Sequence, residues 1–125
     1  MNIPADLRYT KEHEWARLEG GSAVIGITDY AQGELGDIVF VELPAAGKKT
    51  EQMKSCASIE AVKAVSDLYA PLNGEVEDVN RDLEASPQLV NRDPYGKGWI
   101  LKIKLANPAD WEKLLSPEDY RKLIG

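Results

Sequence analysis

The sequence predicts a mostly β chain, a sandwich or barrel with a C-terminal helical cap. Three observations predict it. Short apolar and β-branched runs are separated by turn residues from residue 20 to residue 105. Helical periodicity appears only in the tail, after Asn107. No linker or low-complexity tract divides the 125 residues, so one domain over 1–125 is expected.

The elements follow in order. Gly20-Gly21 is a turn, and residues 22–28 alternate around Val24, Ile25 and Ile27, a strand entered from a hairpin. Thr28 can cap one or two helical turns that Gly36 ends. Residues 37–43 form a strong strand closed by Pro44 and Gly47. Residues 56–60 and 65–69 read as two strand arms, and residues 74–79 as another strand whose alternation, Val76 against Val79, is imperfect. Residues 80–91 have little period and contain Pro87, so a loop with a short helical turn is expected before the turn-rich Asp93-Pro94-Tyr95-Gly96-Lys97-Gly98. From residue 99 to 105, Trp99, Leu101, Ile103 and Leu105 share one face, with Ile100, Lys102 and Lys104 on a wet one. Asn107-Pro108 and Ser116-Pro117 each start a helix, the first with Trp111, Leu114 and Leu115 as its stripe, the second with Leu123 and Ile124.

Composition excludes several functions. The net charge of −6 argues against nucleic-acid binding, which needs a basic footprint. Hydrophobic residues make up 43%, ordinary for a globular chain, and no apolar stretch approaches the ~20 residues of a membrane span. The start, Met1-Asn2-Ile3-Pro4, shows no signal or transit pattern, so a bacterial or archaeal cytoplasm is expected, or the mitochondrial matrix for a processed organellar protein. Cys56 is the only cysteine and His13 the only histidine, so no internal disulfide or cysteine zinc cluster can form and any triad must use His13. Without a nucleophile motif beside it, His13 reads as a turn or surface residue, Cys56 as a small strand residue, and Trp99 and Trp111 as core. No metal site is expected, and the glycines at 33, 36, 96 and 98 form no nucleotide loop.

Lys63 stands between the arms 56–60 and 65–69, which places it at a hairpin tip. Most of the 15 Lys and Arg residues are solvated surface charges, and position alone does not separate Lys63 from them. An ordered, protruding lysine is nevertheless what a covalently modified carrier requires, because another enzyme must reach its amine.

The surrounding residues carry a resemblance. Leu7-Arg8-Tyr9 with His13-Glu14-Trp15, then Ile25-Gly26-Ile27-Thr28-Asp29-Tyr30-Ala31 and Leu35-Gly36-Asp37-Ile38-Val39-Phe40, are followed by Glu60-Ala61-Val62-Lys63-Ala64-Val65-Ser66-Asp67. Ala70-Pro71, Gly74-Glu75-Val76 and the run from Pro87-Gln88-Leu89-Val90-Asn91 to Gly98-Trp99 complete the series. In order and spacing, nearly end to end, the chain resembles the H proteins of the glycine cleavage system. The resemblance implies a barrel-sandwich hybrid of the lipoyl/biotinyl type, with short helices and a C-terminal helical segment. It makes Lys63 the lipoyl attachment site. One departure stands nearby: Ala61 replaces the serine usual in the family.

The same resemblance implies a carrier rather than an enzyme. Lipoate would be joined to Lys63 by an amide, which removes the ammonium charge. A glycine decarboxylase (P protein) loads an aminomethyl group, a folate-dependent aminomethyltransferase (T protein) removes its carbon, and dihydrolipoamide dehydrogenase (L protein) reoxidises the dithiol. A lipoylating enzyme attaches the arm. Tethering gives an effective concentration of roughly millimolar. In related proteins, acids at the positions of Glu14 and Asp67 are associated with a cleft that shelters the cationic amine, so both are expected to stabilise it. The plainer alternatives are a surface charge beside Trp15 for Glu14 and a strand-turn role for Asp67.

Rival carriers differ around the lysine. Biotinyl domains usually read Met-Lys-Met, and the lipoyl domains of acyltransferases Asp-Lys-Ala with flexible linkers. Here Val62 and Ala64 flank Lys63, and a helical tail replaces a linker. An H-like protein that only donates lipoate to other carriers needs the same Lys63 and stays open. A plain acidic binding module without a cofactor would require the Lys63 match to be fortuitous.

Overall fold

The computed structural model describes residues 2–125. Among the described residues, nine strands form two antiparallel sheets. The larger sheet contains β1 (Arg8–Tyr9), β2 (Glu14–Glu19), β3 (Ser22–Ile27), β5 (Lys49–Thr50), β8 (Gly74–Val79) and β9 (Leu101–Leu105), in the order β1-β2-β3-β9-β8-β5. The smaller contains β4 (Ile38–Glu42), β6 (Ser55–Ala61) and β7 (Val65–Tyr69), with β6 central. Helix α1 (Asp29–Leu35) links the sheets, α2 (Asp82–Ala85) and α3 (Leu89–Arg92) follow β8, and α4 (Pro117–Ile124) closes the chain. The mostly β reading, with short helices and a C-terminal helix, is what the structure has.

Local chemistry accounts for these boundaries. Thr28 Oγ1 accepts the N–H of Ala31 at the start of α1, and Gly36 ends that helix at φ 78°. Asn107 and Ser116 cap the two tail helices as their side chains predict. The imperfect alternation in residues 74–79 has a cause: the register of β8 against β9 shifts between Val76 and Asp78, so Val76 and Val79 both face inward.

Two apolar clusters hold the fold. The main one lies between the sheets and includes Ile25, Ile59, Leu68, Leu72, Leu101 and Ile103. The second joins Leu7, Tyr9, Trp15, Val24 and Tyr120, so α4 is fastened to the first three strands. Tyr9 and Tyr120 stack with ring centroids 4.6 Å apart. Each fully buried aliphatic side chain contributes about 1.5–3 kcal/mol over exposure.

Several sequence expectations need correction. Ile100, assigned to a wet face, is 0% exposed: it precedes the β9 ladder, and its N–H bonds Ile25 O while its carbonyl accepts from Asn80. Trp99 and Trp111 are half-buried at the edges of the clusters instead of inside them. The first tail element, Pro108–Lys113, is a 3-10 helix, and in α4 the buried residue is Tyr120 while Leu123 is half exposed. Residues 80–91 hold two helical turns, α2 and α3, where one was expected. The two-residue strands β1 and β5 are too short to show a period and were not anticipated.

Trp15 and Gly26 are cross-strand partners, and a methyl group at residue 26 would lie 2.7 Å from the indole ring. That ring is wholly buried, with Nε1 donating to Pro94 O at 2.9 Å, so it cannot move aside. Gly26→Ala should therefore destabilise the protein by about 1–3 kcal/mol, as overpacking does. Urea unfolding monitored by tryptophan fluorescence measures it, and an unchanged midpoint would contradict the packing argument.

Candidate functional site

Lys63 occupies the exposed turn between β6 and β7. The turn's backbone is fixed at two points. Ala61 N–H donates to Ala64 O at 2.7 Å, and Val62 N–H to Asp37 O at 3.0 Å, which ties the tip to the segment between α1 and β4. Its flanking side chains face outward: Val62 is 75% exposed and Val65 67%. Ala61 is only 7% exposed, so the serine hydroxyl it replaces would point inward, away from any enzyme approaching the tip. Lys63 makes no ion pair among the described residues.

A cleft of about 300 Å³ opens between α1, the turn before β2 and strand β7. Glu14 and Asp67 both line it, with Leu35 and Tyr30 on the α1 wall and Glu12 and Glu34 as further acids. The two carboxylates expected from sequence are thus brought to one cavity, although they come from strands of different sheets, Glu14 from β2 and Asp67 from β7.

Glu14 is not the surface charge that was the plain alternative, because it is 1% exposed. Thr10 Oγ1 donates to its Oε1 at 2.5 Å, and Tyr69 N–H to its Oε2 at 3.3 Å. Thr10 also organises the turn before β2: its hydroxyl accepts from the N–H groups of Glu12 and Glu14, while His13 takes a left-handed φ of 71°. Burial pushes the Glu14 carboxyl up to about 8, against the lowering effect of its two hydrogen bonds, and the charge of Glu12 adds to the rise. No cation pairs with it among the described residues. At neutral pH Glu14 is therefore mostly protonated.

Asp67 is exposed and lies within β7 opposite Ser58, not in the hairpin turn. Ser55 Oγ donates to its Oδ1 at 3.3 Å. His13 is a structural residue of the rim. Its Nδ1 hydrogen-bonds the Tyr120 hydroxyl at 2.9 Å, Tyr120 in turn bonds Thr28 Oγ1 at 2.7 Å, and burial lowers the imidazole pKa. Cys56 is buried, and burial pushes its thiol up to about 11, which leaves it unreactive at neutral pH.

Sequence reasoning missed Thr10, Tyr30 and Asn91. Thr10 stands four residues before Glu14, a spacing that one tight turn converts into contact. Asn91 was visible only as part of a motif, and its bonds to Ile38 N–H and Gly36 O are long-range.

The raised Glu14 pKa fixes a sign. Between its ordinary value of 4.5 and about 8, the native state holds a proton that the unfolded chain releases. Its contribution to stability is full below the lower value, declines as pH rises through the window, and is lost above about 8. The decline is about 5 kcal/mol at most. Glu14→Gln should remove this slope, so urea midpoints measured from pH 5 to pH 8 should fall less in the variant than in the parent. Parallel curves would contradict the assignment.

Comparison with known proteins agrees with this geometry. The family model described as glycine cleavage H-protein matches residues 7–125. The glycine cleavage system H protein of Carboxydothermus hydrogenoformans is 54% identical over 122 residues, covering 98% of this chain and 94% of that protein. That of Rubrobacter xylanophilus is 57% identical over 122 residues with the same coverage. A crystal structure of the H protein from Mycobacterium marinum superposes with a TM-score of 0.90 at 36% identity, covering 98% of this chain and 99% of that one. The chain belongs to the glycine cleavage H-protein family.

Proposed function

We propose that the whole chain, 1–125, acts as one lipoyl-carrier domain, with lipoate attached through an amide to Lys63. The observation that carries this reading is the pairing of an exposed, backbone-anchored lysine with a neighbouring cleft that holds a buried, cation-free Glu14. The residues fit the group. Lys63 is exposed, so acylation removes one charge from a solvated tip and needs no space inside the core. When bound, lipoate supplies a disulfide that can open to accept a one-carbon unit and then be reoxidised.

The chain's own residues receive and shelter the cargo, a cationic amine. At neutral pH, ionising Glu14 against a pKa of about 8 costs only ~1.4 kcal/mol. A cation about 4 Å away returns ~4 kcal/mol at the effective dielectric of a partly buried site. Entry of the amine therefore draws the proton off Glu14, and Thr10 and Tyr69 N–H hold the resulting carboxylate in place. Asp67, at the open side, adds a second negative charge. Leu35 and Tyr30 limit water on the opposite wall.

The reaction steps belong to partners: the glycine decarboxylase loads, the aminomethyltransferase unloads, dihydrolipoamide dehydrogenase reoxidises, and a lipoylating enzyme attaches the arm. Exposed Val39, Phe40, Val62 and Val65 near the tip support repeated protein contact there. Catalysis by the chain itself is not part of the reading. A role restricted to donating lipoate would need Lys63 but no buried Glu14, so the cleft favours glycine cleavage. The bacterial relatives support a cytoplasmic setting, and no helix of the described residues is long and apolar enough to cross a membrane.

Three experiments test the proposal. Protein from a lipoylating host should carry one lipoyl mass increment on the Lys63 peptide, and Lys63→Ala should keep the parent's urea midpoint while abolishing glycine cleavage in a reconstituted system. A biotin increment, or retained activity in the variant, would refute it. Glu14→Gln combined with Asp67→Asn should accept lipoate normally but release ammonia from the loaded protein at least about tenfold faster, the equivalent of losing one ion pair of modest strength. An unchanged rate would remove the two acids from the mechanism.

A further inference from the structure

Asn91 joins the segments that stand behind Lys63. It lies in α3, and its side chain uses both ends of the amide. Oδ1 accepts from Ile38 N–H at 2.9 Å, while Nδ2 donates to Gly36 O at 2.8 Å and to Gln32 Oε1 at 3.0 Å. The partners fix the amide's orientation, because a backbone N–H needs an acceptor and a carbonyl a donor. Between Gly36 and Ile38 stands Asp37, whose carbonyl receives the Val62 N–H. Asn91 is therefore connected to the residue preceding Lys63 through one backbone segment.

Gly36 adds the direction. Its φ of 78° and ψ of −155° fall in a region that is essentially restricted to glycine. A methyl group built there would lie 3.4 Å from Lys63 Cε and 3.9 Å from Nζ, so the lysine side chain passes over the bare Cα. The next residue along that wall, Leu35, lines the cleft that contains Glu14.

We propose that Asn91 is a positioning residue for Lys63: by bracing the backbone of residues 36–38 it holds the hairpin tip and lays the lysine side chain across Gly36 toward the cleft. The inference rests on the reading of Lys63 as the root of the arm, but it concerns the unmodified chain and can be tested there.

The test uses NMR on the full-length, unmodified protein. The parent should show a cross-relaxation contact between Gly36 Hα and Lys63 Hε, together with a protected Val62 amide. Asn91→Asp keeps an acceptor for Ile38 N–H and loses both donated bonds. It should lose the Gly36–Lys63 contact and exchange the Val62 amide about tenfold faster, with the Ile25 amide unchanged. Gln32→Ala, which removes the bond from Asn91 to Gln32 and that from Gln32 to Asp29 but keeps the bonds of Asn91 to Ile38 and Gly36, should retain the contact and the protection. If Asn91→Asp does not fold, Asn91→Ser takes its place with the same expectations.

Absence of the contact in the parent would overturn the proposal, as would an Asn91 variant that leaves both signals intact. Equal acceleration at Val62 and Ile25 would make Asn91 a general structural residue and would also overturn it. Intact mass of protein from a lipoylating host separates the two readings. An unacylated Lys63 with the contact present refutes the carrier reading alone, and an acylated Lys63 without the contact refutes the positioning alone.

Discussion

The buried carboxyl of Glu14 is the constraint around which the site is arranged. It begins β2 in the larger sheet, yet one of its oxygens accepts from Tyr69 N–H in β7 of the smaller sheet. The same group thus bridges the sheets and forms the floor of the cleft. A carboxyl in this position is costly to ionise, and the fold keeps it protonated instead of pairing it with a lysine or arginine. The left-handed turn at His13 and the hydroxyl of Thr10 exist to present it. The Tyr120 bonds to His13 and Thr28 then hold that turn and the start of α1 against the C-terminal helix.

How much of this was legible depended on range. The hairpin around Lys63, the caps at Thr28, Asn107 and Ser116, and most strands are local, and short stretches of sequence reveal them. The face assignment of Ile100 failed because alternation holds only inside a ladder, and Ile100 lies just before one. Trp99 and Trp111 look like core by size but sit at the margins of the two clusters, which composition cannot distinguish. Glu14 and Asp67 came from the family resemblance. Nothing local marks Glu14 as buried, because its burial depends on α1 and β7 closing over it. Asn91 shows the same limit, since each of its bonds spans more than 50 residues.

Charge is distributed in keeping with that arrangement. The ion pairs of the described residues, such as Lys102 with Glu19 and Glu77, lie on the larger sheet, at α2 and along the tail. Each pair has at least one solvent-exposed partner and is individually worth little. Around the cleft, Glu12, Glu34 and Asp67 have no such partners among the described residues. Unpaired acids there repel one another modestly and cost some stability, but they leave a local field that favours a cation.

Rigidity is divided in a similar way. The backbone of the tip is held by the bonds of Ala61 and Val62, whereas the Lys63 side chain projects from it with no ion pair among the described residues. Confining a lysine side chain to one rotamer costs up to ~2 kcal/mol. Contact with Gly36 guides the lysine as far as Cε and Nζ, but it does not reach an arm attached beyond them. An uncharged tip therefore has little reason to stay against the cleft, while a cationic cargo meeting Glu14 brings a term of ~4 kcal/mol that exceeds the loss. The sign of that balance depends on the cargo's charge, and it follows from leaving Glu14 buried without a cation of its own.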